Sequence, residues 1–372
     1  MKNTFGTSVS VTLFGESHGP AIGAVLDGMA PGIKIDEEYI ASQMAKRRSV
    51  SALSTARHEA DKVEILSGVF SGRTTGTPIC LMIKNADTHS SDYAELRTAA
   101  RPGHADYSGY CKYHGFGDYR GGGHFSGRLT APIVAAGAIA LSALKSKGIL
   151  VGTHIKKCAG ICDRDYSNYE NDIKSLAEMD FAVLDQNAAE AMRAGILAAK
   201  GDGDSVGGVL ETAVIGFPAG VGEPWFDTLE GVLSHALFSI PAVKGVEFGD
   251  GFAFADMRGS GANDPFRIRD GKVSTETNRN GGINGGISNG MPILFRCVVK
   301  PTPSIYKTQH TVDFVEMTDR DLLIKGRHDP AVVHRARVVA DSVTALVLCD
   351  MLSQRYGTDF LGSAESVVKN AE

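Results

Sequence analysis

The chain has 372 residues, of which 43% are apolar and 22% are charged, and its formal net charge is −5. This composition is globular, and a chain of this length buries enough apolar surface to fold without disulfide staples. The acidic balance argues against a general nucleic-acid binder, which usually carries a basic stripe. The six cysteines lack the second pair of a zinc motif, so we expect free thiols in a reducing cytoplasm and no metal site.

The N-terminal residues MKNTFGTSVSVTLFGESHG contain no apolar segment of the signal-peptide type. The longest apolar stretch, residues 133–144, is short and rich in alanine for a bilayer span. We therefore expect a cytoplasmic protein that binds neither membrane nor nucleic acid.

In the first part of the chain, alternating and β-branched residues predict strands at 8–14 and 21–26. A helix follows, with Asp36 as its N-cap, acidic residues in its first turn and residues 46–48 at its basic end. The stretches KVEILSGVF and TPICLMIKN predict a hairpin around SGRTTG. Residues 101–130 then form a polar loop without an apolar period.

A helix rich in small residues is predicted over 131–148, and its apolar character on all sides indicates a central position. Further strands and helices alternate after it. The strands are ILVGTHIKKCAGI, GGVLETAVIGFPAG and MPILFRCVVKP, and the helices are NAAEAMRAGILAAKG, a segment near 225–238 and the last helix, from HDP onward.

Strands joined by short turns predict antiparallel sheets with helices packed on them, which is an α+β arrangement. The chain divides into two broadly similar halves, each with strands followed by a helix. No linker rich in proline or serine separates the halves. We therefore predict a single domain over residues 1–372.

The polar loops share a high glycine content and lie far apart in the sequence. They occupy residues 15–19, 101–130, 242–251, 280–290, 300–304 and 326–330. Glycine lets backbone N–H groups approach a ligand, and arginines beside it suit phosphate or carboxylate. None of the loops has Walker or Rossmann spacing. The alternative is that they are flexible turns and that the arginines are solvated surface charges.

Two loop histidines, His18 and His104, are the candidates for proton transfer, because imidazole titrates near neutral pH. Glu16 and Asp106 are candidates to orient the rings or only to complete turns. The alternative is that backbone carbonyls satisfy both rings.

The sequence His-Asp-Pro near the last helix allows two interpretations of Asp329. Aspartate followed by proline is typical of an N-cap and the first helical residue. Capping by Asp329, with Pro330 at the first helical position, is therefore the alternative to a chemical role for this carboxylate.

Seven motifs occur in a fixed order along the chain: GESHG (15–19), RPGHADY (101–107), YRGGGHFSGRLT (119–130), AVKGVEFGDGF (242–252), GGINGGISNG (281–290), KPTPS (300–304) and GRHDP (326–330). Together they resemble the chorismate synthase family over residues 15–350. The resemblance implies a β-α-β sandwich, with helices between antiparallel sheets, assembled as a homotetramer. It also implies the 1,4-elimination of phosphate from 5-enolpyruvylshikimate 3-phosphate to give chorismate, the last common step of aromatic amino-acid biosynthesis. That reaction requires reduced FMN without net redox change.

The resemblance assigns catalytic roles to five residues. His18 would protonate the departing phosphate, and His104 would protonate the reduced flavin. Asp329, with Ser17, would help to remove a proton from the flavin, and Ser126 matches a loop serine near the cofactor.

Ligand-binding roles follow from the same resemblance. The FMN site would comprise His124, Phe125, Ser126, Pro241, Ala242, Gly285, Lys300, Pro301, Thr302, Pro303, Ser304 and Arg327. The substrate anions would be bound by Arg47, Arg48 and Arg128. Arg47 matches an arginine assigned to a nicotinamide (NADP) or to the substrate phosphate.

The chain departs from the family pattern at three positions. His124 and Leu129 replace an arginine and a glutamate that many members carry in this loop. Leu53 takes the approximate place of a further arginine, which weakens the case for NADPH binding and an intrinsic flavin reductase. The competing classes are a flavin oxidoreductase and a ligand-binding scaffold without catalysis.

Overall fold

The structure is a computed structural model that describes residues 2–48, 61–85, 96–324 and 328–362. Its first sheet has five antiparallel strands in the order β1-β2-β3-β7-β4. Strands β5 and β6 form a separate two-stranded hairpin inside the predicted hairpin region. The strands of this half are β1 Thr4–Gly6, β2 Ser10–Gly15, β3 Ala21–Asp27, β4 Val63–Ile65, β5 Val69–Phe70, β6 Arg73–Thr74 and β7 Ile79–Lys84.

The second sheet also has five antiparallel strands, in the order β11-β16-β10-β8-β9. Its strands are β8 Leu150–Cys158, β9 Ile161–Cys162, β10 Gly208–Ile215, β11 Val243–Phe248 and β16 Ile293–Val299. Three small hairpins decorate this half: β12 Phe266–Arg269 with β13 Lys272–Thr275, β14 Ile283–Asn284 with β15 Ile287–Ser288, and β17 Gln309–Asp313 with β18 Thr318–Leu322.

The helices are α1 Glu37–Arg47, α2 Asp106–Tyr113, α3 Thr130–Ser146, α4 Tyr169–Glu178, α5 Gln186–Gly201, α6 Leu229–Leu237, α7 Gly259–Ala262 and α8 Val333–Tyr356. Asp36 caps α1 as predicted, since its carboxylate accepts the Tyr39 N–H at 2.8 Å. Helices α2 and α4 were not predicted. The short α2 lies inside the segment 101–130, which the sequence had indicated to be loop throughout.

Two central helices separate the sheets. Helix α3 packs on β3 and β7 of the first sheet, and α8 packs on β8 and β10 of the second. The helices touch each other closely, because a Cβ placed on Gly137 would lie 2.2 Å from the Cβ of Ser342. Each half thus contributes one sheet followed by one central helix. The predicted β-α-β sandwich of the α+β class is confirmed.

The position of α3 explains its apolar composition. Residues 127–146 are long and apolar enough to cross a membrane by length and composition, and 83% of the apolar window is buried inside the protein. Burial on all sides between a sheet and a second helix requires the same composition as a bilayer does. The apolar composition of α3 is therefore explained by its position at the centre of the core.

One carboxylate ties the first sheet to α8. Asp350 accepts hydrogen bonds from the backbone N–H groups of Thr7, Ser8 and Val9 at 3.0, 2.6 and 2.9 Å. Bonds to an ionised acceptor are about twice as strong as neutral ones. They hold the start of β2, and the far end of that strand leads directly into the loop that carries His18.

The start of α8 corrects the cap interpretation. The helix begins at Val333 with Val332 in the N-cap position, so Asp329 is not a cap and Pro330 is not the first helical residue. The Pro330 carbonyl instead accepts the Val206 N–H at 2.8 Å, which keeps this segment outside the helix. The Asp329 carboxylate is left facing Arg335, with which it forms an ion pair.

Candidate active site

A cavity of about 1350 Å³ lies where the loops between the two sheets meet. The end of α1, the loops at 101–105, 124–130 and 300–304, and the first half of α8 all contribute to its wall. Ligand cavities for small molecules usually measure about 300–1,000 Å³, so this one has room for more than one such molecule. Its lining combines apolar side chains with several arginines and lysines.

Two arginines of this cavity share one buried carboxylate. Asp61 contacts Arg47 Nη2 through Oδ2 at 2.7 Å and Arg128 Nη1 through Oδ1. Although burial favours the neutral acid, the two guanidinium groups hold the pKa of Asp61 below its usual value. The three side chains carry a net charge of +1. Arg47 is 5% exposed, and its Nε–H has no hydrogen-bond partner among the described residues.

Arg335 connects this cluster to Asp329. Its Nε donates to the backbone carbonyl of Arg47 at 2.7 Å, and its Nη1 pairs with the carboxylate of Asp329. Arg335 therefore holds the end of α1 against the segment that precedes α8. None of the sequence motifs gave Arg335 a role in the site.

His104 is held by an aspartate and an arginine from its own loop. Its Nδ1 lies 2.8 Å from Asp106 Oδ1 and 3.0 Å from Arg101 Nη2. Arg101 also donates to both oxygens of Asp106, through Nε at 2.8 Å and Nη2 at 2.7 Å. Burial would raise the pKa of Asp106, but the hydrogen bonds from Arg101 and His104 outweigh it and lower that pKa. Asp106 was a candidate either to orient a histidine ring or only to complete a turn, and the structure shows that it contacts the ring of His104.

His18 lies in a separate, more buried position and is 7% exposed. Its Nδ1 is 3.0 Å from the hydroxyl of Ser17. That hydroxyl is also within reach of the carbonyls of Arg120 and Gly121, at 3.1 and 3.2 Å. The loop at 15–19 is thus joined to the segment at 120–123, and His124 adds a contact from its Nδ1 to the Gly15 carbonyl at 2.9 Å.

The three consecutive glycines pass between the two histidines. Gly121, Gly122 and Gly123 have φ values of +60°, +87° and +53°. A Cβ on Gly121 would lie 2.1 Å from the His18 ring, and one on Gly122 would lie 3.3 Å from the His104 ring. Glycine is required here because the φ values are positive and because a side chain would collide with the neighbouring imidazole rings. The run is therefore a tight spacer against both rings, in contrast to the alternative of a flexible turn.

The segment 300–304 also lines the cavity. The ammonium of Lys300 donates to the Gly103 carbonyl, which joins this segment to the His104 loop. The Thr302 hydroxyl is buried and has no hydrogen-bond partner among the described residues, although the Thr302 carbonyl accepts from Ser205 at 2.7 Å. An unpaired buried hydroxyl beside a lysine suits a polar or phosphorylated ligand.

Most of the predicted site residues line this one cavity. They are Arg47, Arg48, His104, His124, Phe125, Ser126, Arg128, Pro241, Ala242, Lys300, Thr302, Pro303, Ser304 and Asp329. Ser17, His18, Gly285 and Pro301 are not among the described residues that line it. Gly285 sits in the turn between β14 and β15. Arg327 and Leu53 lie outside the described residues.

The cavity also contains residues that the sequence left without a role. Asp61 belongs to none of the sequence motifs, and only its contacts with residues far away in the sequence show that it is part of the site. Arg101 stands beside His104 in the motif RPGHAD, so its proximity in sequence was a usable signal. Arg335 could have been found only from the true start of α8.

The layered α+β fold and a cavity lined by His104 and several arginines are typical of an enzyme that binds a small anionic molecule. The sequence profile of the family described as chorismate synthase matches residues 9–353. The chain is 46% identical to the chorismate synthase of Thermococcus gammatolerans, over 94% of this chain and 97% of that protein. It is 48% identical to that of Pyrococcus abyssi, over 93% and 96%.

A solved structure supports the same relationship. A crystal structure of a chorismate synthase has a TM-score of 0.75 and 29% identity, over 95% of this chain and 94% of that one. The chain belongs to the chorismate synthase family. It is accordingly a carbon–oxygen lyase that acts on a phosphate, an enzyme of aromatic amino-acid biosynthesis.

The triglycine spacer leads to a test. We expect Gly121→Ala to lower turnover by roughly 10²-fold, because the new methyl displaces the His18 ring by about 1 Å or more. The left-handed backbone adds a stability cost of about 1–2 kcal/mol. Initial rates and thermal unfolding would be measured for each variant.

Gly148→Ala is the matched control. Gly148 also has positive φ, at +75°, but a Cβ there meets no described atom within 4 Å. This variant should show the backbone cost and wild-type turnover. Equal turnover in both variants would contradict the spacer role of Gly121.

Proposed function

We propose that this enzyme eliminates phosphate from 5-enolpyruvylshikimate 3-phosphate to give chorismate, and that it requires reduced FMN without net redox change. The observation that carries the proposal is the convergence of Arg47 and Arg128 on one carboxylate in the cavity that also contains His104. The substrate has a phosphate and two carboxylates. An acidic chain that collects buried arginines in one place is suited to such a ligand.

The residues present fit a flavin mononucleotide. Val339, Val343 and Leu346 give the cavity an apolar wall on α8 that suits a flat ring. Lys300 adds a charged group to the lining, and Thr302 adds a hydroxyl that has no partner in the described part of the chain. We assign the FMN to the loops that carry residues 124–126, 241–242 and 300–304, together with Gly285 and Arg327. When bound, reduced FMN supplies electron density that assists departure of the phosphate.

The protein groups manage protons and position. His18, fixed by Ser17, donates a proton to the leaving phosphate, and His104, fixed by Asp106, donates to the reduced cofactor. Asp329, which lines the cavity and forms an ion pair with Arg335, accepts a proton. Ser126, whose hydroxyl accepts the Arg128 N–H at 3.3 Å, holds the start of the 127–129 turn.

Assembly and location are part of the proposal. We propose a single catalytic domain that works as a cytoplasmic homotetramer, with no nucleic-acid or membrane partner. The described lining of the cavity does not include Ser17, His18, Gly285 or Pro301, so their roles in this proposal rest on the motifs shared with the family. The reaction would complete the shikimate pathway.

An anaerobic assay tests the reaction. The enzyme would be incubated with the phosphorylated substrate and a limiting amount of photoreduced FMN, and chorismate absorbance and phosphate release would be followed. Because an elimination consumes no reductant, each reduced flavin should support many turnovers. A chorismate yield capped at one per flavin would instead indicate a flavin oxidoreductase, and no product at all would favour a binding scaffold.

Asp329 provides a second test, now that capping is excluded. Both Asp329→Asn and Asp329→Ala should lower turnover by roughly 10²-fold or more, because neither side chain accepts a proton. Their melting temperatures should be close to each other. A true N-cap would make alanine less stable than asparagine by about 0.5–2 kcal/mol. Full activity of Asp329→Asn would remove Asp329 from the proton relay.

A further inference from the structure

The strongest feature not used by the proposed reaction is Asp61. Its side chain is 1% exposed, and each of its two carboxylate oxygens contacts a different arginine. The arginines come from distant parts of the chain, 14 residues before Asp61 and 67 residues after it. One carboxylate thus sets the separation of two guanidinium groups that no secondary-structure element connects directly.

The backbone of Asp61 is also unusual. Its φ is +43°, in the left-handed region that few residues other than glycine adopt. Aspartate and asparagine tolerate this region better than other side chains do. A residue held in a costly conformation with a fully buried charge indicates that the surroundings determine its position.

Asp61 does not use all the donors of Arg47. It neutralises one of two positive charges, and it engages a single terminal nitrogen on Arg47. Within residues 2–48, 61–85, 96–324 and 328–362, the Nε–H of Arg47 has no partner, and its Nη1 reaches Thr130 Oγ1 only at 3.5 Å. A buried guanidinium N–H without an acceptor costs free energy until an acceptor arrives. In the part of the chain that the structure describes, Arg47 therefore retains a donor for one further anion.

The same arginine pair is fixed on its other side. Arg128 Nε donates to Asn85 Oδ1 at 3.2 Å, and the amide of Asn85 donates to the carbonyls of Glu16 and Gly19 at 3.0 and 2.8 Å. Asp61 is thus one end of a chain of contacts that reaches the loop of His18. A displacement of Asp61 would be transmitted to Arg128 and to that loop.

We propose that Asp61 is a positioning residue, which remains bound to Arg47 and Arg128 and holds them in the arrangement that receives the phosphate of the substrate. This inference rests on the proposed function for the identity of the substrate. It differs from a role as a stand-in for the ligand, in which Asp61 would have to leave before the phosphate could bind.

The test compares Asp61→Asn with the wild-type enzyme. Asparagine keeps the shape and tolerates the positive φ, but it cannot accept from both arginines. We expect the KM for 5-enolpyruvylshikimate 3-phosphate to rise about 10- to 100-fold, as for the loss of a charged hydrogen-bond acceptor. The dissociation constant for FMN should stay within about threefold, a difference of less than 1 kcal/mol.

Glu64→Gln is the matched control. It makes the same chemical change three residues away, in an exposed ion pair with Lys84 at 2.8 Å. Exposed pairs of this kind contribute little, so its KM and FMN affinity should equal those of the wild type. If Asp61→Asn does not fold, Asp61→Glu retains the charge and should raise KM by a smaller factor, since the longer side chain shifts both arginines.

A binding experiment separates this inference from the proposed function. Inorganic phosphate would be titrated into each variant with FMN at saturation, and Asp61→Asn should bind it about 10- to 100-fold more weakly than Glu64→Gln does. If Asp61→Asn binds phosphate more weakly but the wild type forms no chorismate, the proposed reaction is contradicted and the positioning role of Asp61 is retained. An unchanged or lower KM, tighter phosphate binding, or an equal loss of FMN and substrate affinity would each overturn the role of Asp61.

Discussion

Two arginines buried in one cavity repel each other unless a negative charge lies between them, and in this protein Asp61 supplies that charge. Removing one member of such a buried set usually costs about 3–5 kcal/mol, because an uncompensated charge remains inside. The site depends on this balance, since Arg47 ends α1, Arg128 lies immediately before α3, and the backbone of Arg47 receives Arg335 from α8. The three helices that bound the cavity are therefore linked through charged groups.

The same principle recurs at His104. Arg101 is buried, and it is balanced by Asp106, whose carboxylate also contacts the imidazole. In both clusters an aspartate contacts basic side chains that line the cavity. The layered fold permits this arrangement, because the apolar contact of α3 with α8 supplies the rigidity. The loops are free to carry charge in place of apolar residues.

The sequence predicted the sheets, α1, α3 and α5 well, because their signals are local. The alternation of apolar and polar residues predicted β2 and β3, and the N-cap residue Asp36 predicted the start of α1. The predicted start of α8 was wrong for a physical reason. Pro330 pairs with Val206, more than a hundred residues earlier, and local capping preferences contain no information about that contact.

The candidate site divides in the same way. His18, His104 and the glycine-rich loops could be found from residue type and from the ordered motifs. The explanation for three successive glycines required the two imidazole rings on either side of them. Asp61 could not be found, since its importance arises from two partners in distant parts of the chain. Residues 49–60, which include Leu53, lie outside the described structure, so the prediction about NADPH stays a prediction.

A crystal structure of the enzyme with both FMN and 5-enolpyruvylshikimate 3-phosphate would test the central claim most directly. The account predicts that a substrate phosphate oxygen lies within hydrogen-bonding distance, about 2.7–3.2 Å, of Arg47 or Arg128 while Asp61 still contacts both. It also predicts the flavin against residues 124–126 and 300–304 of the same cavity. A substrate phosphate bound elsewhere, with the two arginines contacting only Asp61, would contradict the account.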